Sequence, residues 1–298
     1  MCYVNTFCQY CAKRCPNTFV NIVHPLSTIF VAAGILFFFS VQMFCIAPQV
    51  YKDMAYKLYW ILAIFIMQNI LGNWLACYKT SSSVETLPKD CQIPVPEEEH
   101  LWRYCEPCKK LMPPRSWHCG LCKCCILRRD HHCIFTATCI GHNNQRYFFW
   151  FAFYLTFGLI VSFVTFCTHL ARNGCNMFMM PDLFSNLLLQ FLCKNHDSTS
   201  NGSLFHDSTS DGSLFQTITY TLNIFAFLIP GFMLTYQVQI LCLNSSYYQM
   251  FDDVYDLGFL KNCELIMGQR GLWTFLSPLL KSPLPHDGTQ WQMKQQSL

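Results

Sequence analysis

Charged side chains are scarce in this sequence. Asp, Glu, Lys and Arg make up 12% of its 298 residues, whereas a soluble globular protein contains about a quarter. Hydrophobic residues account for 52%, and 27 of them are Phe. This deficit of charge excludes an ordinary soluble domain and predicts a surface that faces lipid. The net charge of +3 is small, so no nucleic-acid partner is predicted.

Four long stretches contain no Asp, Glu, Lys or Arg at all. A helix needs roughly 20 apolar residues to cross the hydrocarbon core of a bilayer. The four stretches meet this requirement and predict transmembrane helices over residues 26–47, 58–76, 147–168 and 217–241. Because ionisable side chains within the spans mark transport pathways, their absence argues against a transporter or channel.

The basic residues are distributed unevenly between the segments that the predicted spans separate. Of the 20 Lys and Arg residues, 16 lie in segments 1–25, 77–146 and 242–298. The positive-inside rule therefore predicts that these three segments, with both chain termini, are cytosolic. Segment 169–216 is predicted to be a luminal loop. It contains a tandem ten-residue repeat at 196–215 and a glycosylation sequon at Asn201.

The 20 cysteines are not spread through the chain as in a small secreted disulfide scaffold. Eight of them lie between Cys105 and Cys139, together with three histidines. In a reducing compartment such a density indicates metal binding or thiol chemistry. Two Cys-x2-Cys pairs, at 105–108 and 119–122, have the spacing that tetrahedral zinc uses. We therefore expect two zinc sites of the Cys3His type.

Two such sites need eight ligands, so three groups remain unligated, and spacing alone does not identify them. Cys124 adjoins Cys125, and we expect only one of this pair to bind metal. His131 and His132 are also adjacent, and their side chains should point apart. A free histidine would then stand beside free Cys133, preceded by Asp130. Thiol catalysis needs such a trio, because a carboxylate orients the imidazole and the imidazole favours the thiolate.

The segment 105–148 resembles the cysteine-rich domain of the DHHC protein S-acyltransferases. The Asp-His-His-Cys signature stands at 130–133, between the second and third predicted spans, and Asn144 and Phe148 belong to the supporting pattern. The resemblance implies an all-α multi-pass membrane protein. Its four transmembrane helices would carry a cytosolic, two-zinc cysteine-rich domain between helices 2 and 3.

The resemblance also implies a role for each residue of the motif. Cys133 would be the nucleophile that accepts the acyl group, with His131 and Asp130 as its partners. Two structural zinc ions would be bound, the first by Cys105, Cys108, His118 and Cys125, and the second by Cys119, Cys122, His132 and Cys139. Cys124 would be a bystander thiol.

The activity implied by the resemblance is transfer of a fatty acyl group, such as palmitoyl, from acyl-CoA to protein cysteines. The expected partners are membrane lipid, acyl-CoA and proteins with cytosolic cysteines near the membrane, in the endoplasmic reticulum or Golgi. Four basic residues are candidates for contacts with coenzyme A phosphates, although each also fits a solvated basic loop. They are Arg115, Lys123, Arg128 and Arg129.

Ile134, Phe135 and Gln249 are among the positions that depart from the family pattern. Ile134 and Phe135 follow the signature where members usually have Pro-Trp, and Gln249 lies in a stretch that lacks the usual carboxylate. These departures motivate an alternative, in which the protein is a catalytically weak or inactive zinc-binding membrane scaffold. The scaffold hypothesis predicts bound zinc without acyl transfer, so an experiment can distinguish it from the acyltransferase hypothesis.

Overall fold

The computed structural model describes residues 10, 14–172, 208–250 and 253–294, with the side chains of the last long helix from Ile218 onwards. Four of the described helices are long and apolar enough to cross a membrane. They are α1 (Pro16–Val50), α2 (Asp53–Lys79), α3 (Gln145–Arg172) and α4 (Ser208–Leu243). Each contains one of the four predicted stretches. The mostly helical, multi-pass fold class is thus confirmed.

Two of these helices differ in detail from a uniform α-helix over the predicted stretch. Helix α1 contains π-helical segments at Phe19–Val23 and Val41–Ile46, and His24 is the first residue after the former. Helix α4 begins at Ser208, inside the second copy of the tandem repeat. The first copy and the sequon at Asn201 lie outside the described residues.

One compact unit comprises Leu36–Ile64 and the described part of Thr156–Gly231. A chain of buried polar side chains joins all four long helices within it. Gln42 donates to the phenol of Tyr59 at 2.8 Å and accepts from Ser162 at 2.9 Å. Asn223 in turn donates to Ser162 at 2.9 Å. Because a bilayer core offers no water as a partner, this network satisfies polar groups that lipid would leave unpaired.

The second compact unit comprises the described parts of Met1–Ile35, Phe65–Leu155 and Phe232–Leu298. It contains the cysteine-rich domain, which the sequence places between α2 and α3. Six three-residue strands pair there as three antiparallel hairpins, a feature that the all-α expectation does not include. The hairpins are β1 (Arg103–Cys105) with β2 (Lys110–Met112), β3 (Trp117–Cys119) with β4 (Cys124–Ile126), and β5 (His131–Cys133) with β6 (Thr138–Ile140).

The three hairpins follow one another with a period of 14 residues, since their first strands begin at residues 103, 117 and 131. Each turn contains one residue in the left-handed region, namely Lys109, Lys123 and Ala137, with φ of 51°, 57° and 51°. This regularity has a consequence for the cysteines. Cys105, Cys119 and Cys133 are each the last residue of the first strand, and so occupy equivalent positions in the three hairpins.

The chain after α4 packs against the cysteine-rich domain and α3. It forms a 3-10 turn at Tyr247–Gln249, helix α5 (Phe259–Met267) and a 3-10 helix at Gly271–Leu276. The indole of Trp150 in α3 donates to the hydroxyl of Thr274 at 2.9 Å. Shorter 3-10 turns precede β1, at Val84–Thr86, Lys89–Gln92 and Pro96–Leu101.

Candidate active site and metal centres

The first cluster of ligand atoms joins the first hairpin to the second. Cys105 and Cys108 come from the first hairpin, and His118 and Cys125 come from the second. The Nδ1 atom of His118 lies 3.6 Å from the sulfur of Cys105 and 3.2 Å from that of Cys108. The sulfurs of Cys125 and Cys108 are 3.8 Å apart. This is the first of the two ligand sets that the family resemblance implies.

The second cluster repeats this arrangement one hairpin further on. Cys119 and Cys122 belong to the second hairpin, and His132 and Cys139 belong to the third. The Nδ1 atom of His132 lies 3.6, 3.3 and 3.4 Å from the sulfurs of Cys119, Cys122 and Cys139. Cys124 belongs to neither cluster.

Both clusters have the geometry that a tetrahedral zinc ion requires. With Zn–S of about 2.3 Å and Zn–N of about 2.0 Å, neighbouring ligand atoms in a tetrahedron are about 3.5–3.8 Å apart. The distances given above, from 3.2 to 3.8 Å, overlap this range and extend slightly below it, so each cluster is compact enough to surround one zinc ion. Four protein ligands complete a tetrahedron, so each cluster is typical of a structural metal centre rather than a catalytic one.

Asp130 is held by donors from three parts of the chain. Its Oδ2 atom accepts from Nδ1 of His131 at 2.8 Å. Its Oδ1 atom accepts from the phenol of Tyr236 in α4 at 2.8 Å and from the backbone N–H of Tyr247 at 2.9 Å. Burial of this carboxyl would raise its pKa, but the bonds from His131 and Tyr236 outweigh that effect and lower the pKa. Asp130 is therefore a fixed, ionised partner for the imidazole.

Cys133 is buried and belongs to neither metal cluster. Burial raises the pKa of this thiol, but its interaction with the charged imidazole of His131 outweighs burial, and the pKa is lowered. Burial lowers the pKa of His131, whereas its hydrogen bond with Asp130 and its interaction with Cys133 raise the pKa to about 9. Asp130, His131 and Cys133 therefore form a connected trio that favours an imidazolium beside a thiolate.

Besides Tyr236, three further residues near this trio were not identified from the sequence. Gln237 donates to Asp130 Oδ2 at 3.4 Å, and its own amide oxygen accepts from Gln145 at the start of α3. The indole of Trp74 in α2 donates to the backbone carbonyl of Phe135 at 3.0 Å, directly after the signature. Polar side chains at the ends of otherwise apolar helices are the signal that would have indicated them, because lipid penalises unpaired polar groups.

Arg115 lies buried between two aromatic rings from the C-terminal region. Its guanidinium carbon is 4.1 Å from the centre of the Tyr255 ring and 4.3 Å from that of Trp291. It also donates from Nε to the side-chain oxygen of Gln249 at 3.0 Å. Gln249 lies in the stretch that lacks the usual family carboxylate, and its side chain accepts a hydrogen bond from the buried Arg115.

The other three basic candidates differ in their surroundings. Arg128 is fully buried and donates to the carbonyl of Ser245 at 2.9 Å. Arg129 is buried and donates to the carbonyl of His118 and to the phenol of Tyr248. Lys123 is exposed at the turn of the second hairpin. The three arginines thus have contacts within the protein, and a role of any of the four in binding coenzyme A stays a prediction.

Comparison with known proteins places this arrangement in a family. The sequence model described as DHHC palmitoyltransferase matches residues 98–253, which is more than half of the chain. That range includes both metal clusters and the trio of Asp130, His131 and Cys133. It also extends through α3 and α4 to the segment that bonds Arg115 and Asp130.

Individual relatives of this chain are also named as palmitoyltransferases. Palmitoyltransferase ZDHHC16A of Danio rerio is 32% identical over 145 residues, which cover 47% of this chain and 33% of the relative. Probable palmitoyltransferase ZDHHC24 of Mus musculus is 24% identical over 282 residues, covering 90% and 89%. The human protein of that name is 28% identical over 241 residues, covering 78% and 77%. The chain therefore belongs to the DHHC palmitoyltransferase family.

Proposed function

We propose that this protein transfers a fatty acyl group, such as palmitoyl, from acyl-CoA to protein cysteines through an acyl-enzyme intermediate on Cys133. The family gives the general reaction, protein palmitoylation. One observation carries the assignment of the nucleophile. The sulfur of Cys133 stays outside both metal clusters and interacts with His131, whose Nδ1 atom donates to Asp130.

The proposed reaction has two steps. In the first, the Cys133 thiolate attacks the thioester carbonyl of acyl-CoA, the bond from carbon to the coenzyme A sulfur breaks, and the departing thiolate takes the proton of the His131 imidazolium. In the second, a substrate cysteine gives its proton to the neutral imidazole and attacks the acyl-enzyme. The acyl group then passes to the substrate sulfur, and Cys133 returns as a thiolate beside a protonated His131.

Two zinc ions fit the clusters and would stabilise the domain. Cys105, Cys108, His118 and Cys125 would hold one, and Cys119, Cys122, His132 and Cys139 would hold the other. When bound, the metal supplies folding free energy to a domain that has only short strands. His132 lies between His131 and Cys133 in strand β5. Ligation of the His132 ring would therefore fix the backbone that carries both neighbouring side chains.

The proposed setting follows from the distribution of basic residues. With segment 77–146 on the cytosolic side, the trio would meet soluble acyl-CoA and proteins that carry cysteines near the membrane. The compartments that we propose, the endoplasmic reticulum or the Golgi, are those that the family resemblance favours. The alternative of an inactive zinc-binding scaffold is not favoured, because the relatives found are palmitoyltransferases and the catalytic signature is complete.

Acyl labelling of the purified protein tests the proposal. The wild-type protein, incubated with radiolabelled palmitoyl-CoA, should retain a label that hydroxylamine removes. Cys133→Ser should lose this label while keeping two zinc ions per chain. Cys124→Ser is the matched control, since Cys124 lies in the same domain but outside both clusters, and it should label normally. Undiminished label on Cys133→Ser would contradict the assignment of the nucleophile, and an unlabelled wild-type protein with two zinc ions would support the scaffold.

A further inference from the structure

His24 of α1 lies against the second metal cluster, although it is 108 residues from that cluster's histidine. Its side chain is buried, and its Nε2 atom is 3.0 Å from Nε2 of His132. The two imidazole rings stack with their centres 4.9 Å apart and an angle of 22° between their planes. Phe19 packs edge-on against the His24 ring at 5.3 Å. The position of His24 is therefore fixed by packing as well as by the polar contact.

The geometry of His132 determines which of the two rings donates. Its Nδ1 atom faces three cysteine sulfurs at 3.3 to 3.6 Å, so Nδ1 is the ligand atom. A neutral imidazole that gives the lone pair of Nδ1 to a metal carries its proton on Nε2. His132 Nε2–H therefore donates to Nε2 of His24, and His24 accepts with its own proton on Nδ1.

We propose that His24 is a positioning residue that holds the metal ligand His132 in orientation from outside the coordination sphere. Metal-binding histidines almost always donate their second N–H to a carboxylate, carbonyl or water, and the loss of such a partner typically lowers metal affinity 10–100-fold. Here a neutral imidazole from a membrane-spanning helix has this role. The inference rests on the proposed occupation of the second cluster by zinc.

The first cluster provides a comparison within the same molecule. His118 holds the equivalent place one repeat earlier and also presents Nδ1 to cysteine sulfurs. In the described part of the chain, no hydrogen bond is observed at its Nε2. The contact from His24 therefore distinguishes the second centre from the first. It also connects α1 to the strand of Cys133, since His132 and Cys133 are consecutive.

Zinc release from the purified full-length protein tests this role without an activity assay. A chromogenic chelator reports the rate, and alkylation followed by mass spectrometry reports which cysteines have become free. His24→Ala should release zinc from Cys119, Cys122 and Cys139 about 10-fold faster than the wild type, and release from Cys105, Cys108 and Cys125 should not change. His24→Gln, which keeps an acceptor oxygen, should restore most of the retention. His100→Ala, at an exposed histidine, is the control.

Several results would overturn the inference. If His24→Ala released zinc from the second centre at the wild-type rate, His24 would not be a positioning residue for His132. Equal acceleration at both centres would indicate general loss of folding rather than a local contact. A wild-type protein with fewer than two zinc ions would instead contradict the metal assignment in the proposed function, and the zinc content of the wild type separates that failure from the other two.

Discussion

The phenol of Tyr236 donates to Asp130 Oδ1 across 2.8 Å, which links the fourth long helix to the carboxylate of the proposed catalytic trio. Both groups are buried, so no solvent competes for this bond. The carboxylate orients His131, and His131 in turn favours the thiolate of Cys133. Tyr236, 106 positions from Asp130, is therefore expected to influence the reactivity of Cys133, the proposed nucleophile.

We predict that Tyr236→Phe slows acyl-enzyme formation about 10-fold, because a hydrogen bond to a charged group contributes about 1.5–3 kcal/mol. The measurement is the single-turnover rate of labelling with palmitoyl-CoA. Tyr154→Phe is the control, since that phenol donates to the carbonyl of Phe275 and does not contact the trio. Equal rates for Tyr236→Phe and the wild type would show that the phenol has no part in positioning Asp130.

Arg115→Ala should destabilise the protein by about 2 kcal/mol, because it removes a buried guanidinium from between Tyr255 and Trp291 and leaves Gln249 without its donor. The thermal unfolding midpoint, followed by tryptophan fluorescence, should fall. Lys123→Gln, at an exposed position, should leave it nearly unchanged.

The same two variants test the predicted contacts with coenzyme A. If Lys123 binds a phosphate, Lys123→Gln should raise the KM for palmitoyl-CoA several-fold without changing the unfolding midpoint. An unchanged KM would leave Lys123 as a solvated lysine at a turn. A change in KM for Arg115→Ala would be informative only at temperatures where that variant remains folded.

The two metal centres should differ in how readily they lose zinc. The first centre has two half-buried ligands, Cys108 and His118, and its Cys108 and Cys125 line a cleft of about 360 Å³ that opens to the surface, whereas in the second centre only Cys122 is half-buried. A chelator should therefore expose Cys108 and Cys125 to alkylation before Cys119 and Cys139. Mass spectrometry at successive times gives the order, and simultaneous exposure of these four thiols would contradict it.

Acidification should loosen the C-terminal segment from the cysteine-rich domain. His142 and His286 stack with ring centres 4.8 Å apart. Burial, opposed in part by the His286 carbonyl, lowers the pKa of His142 to about 3. Burial also lowers the pKa of His286 to about 4, with Asp287 opposing the shift and Arg128 and Arg115 adding to it.

Both histidines are thus neutral in the folded protein, whereas in the unfolded chain they titrate near pH 6.5. A depressed histidine pKa contributes stability above the unfolded pKa, and this contribution is lost as the pH falls from about 6.5 towards 4. Hydrogen exchange across residues 284–292 should therefore be faster at pH 5 than at pH 7.5 after correction for the intrinsic rate. His286→Asn should reduce this difference, and an equal difference in both proteins would exclude His286 as its source.

Structural features that depend on local sequence patterns could be predicted from the sequence. The charge-free stretches indicated the four long helices, and the spacing of cysteines and histidines indicated two metal clusters. Local patterns did not show which distant side chains contact each other. His24 reaches His132, and Tyr236 reaches Asp130, because helices pack against the domain, and no periodicity encodes that packing. Likewise, the basic composition of the loop did not reveal that Arg115 and Arg128 are buried.

The 14-residue period of the hairpins explains why the sulfur of Cys133 lies outside both metal clusters. Each metal centre takes two cysteines from one hairpin and completes its shell with a histidine and a cysteine from the next. Cys133 stands where Cys105 and Cys119 stand, but Thr136 replaces the second cysteine of the pair, and helix α3 begins where a fourth hairpin would follow. Cys133, the proposed nucleophile, thus occupies a ligand position in a repeat that has no further hairpin to complete a metal shell, and its sulfur stays outside both clusters.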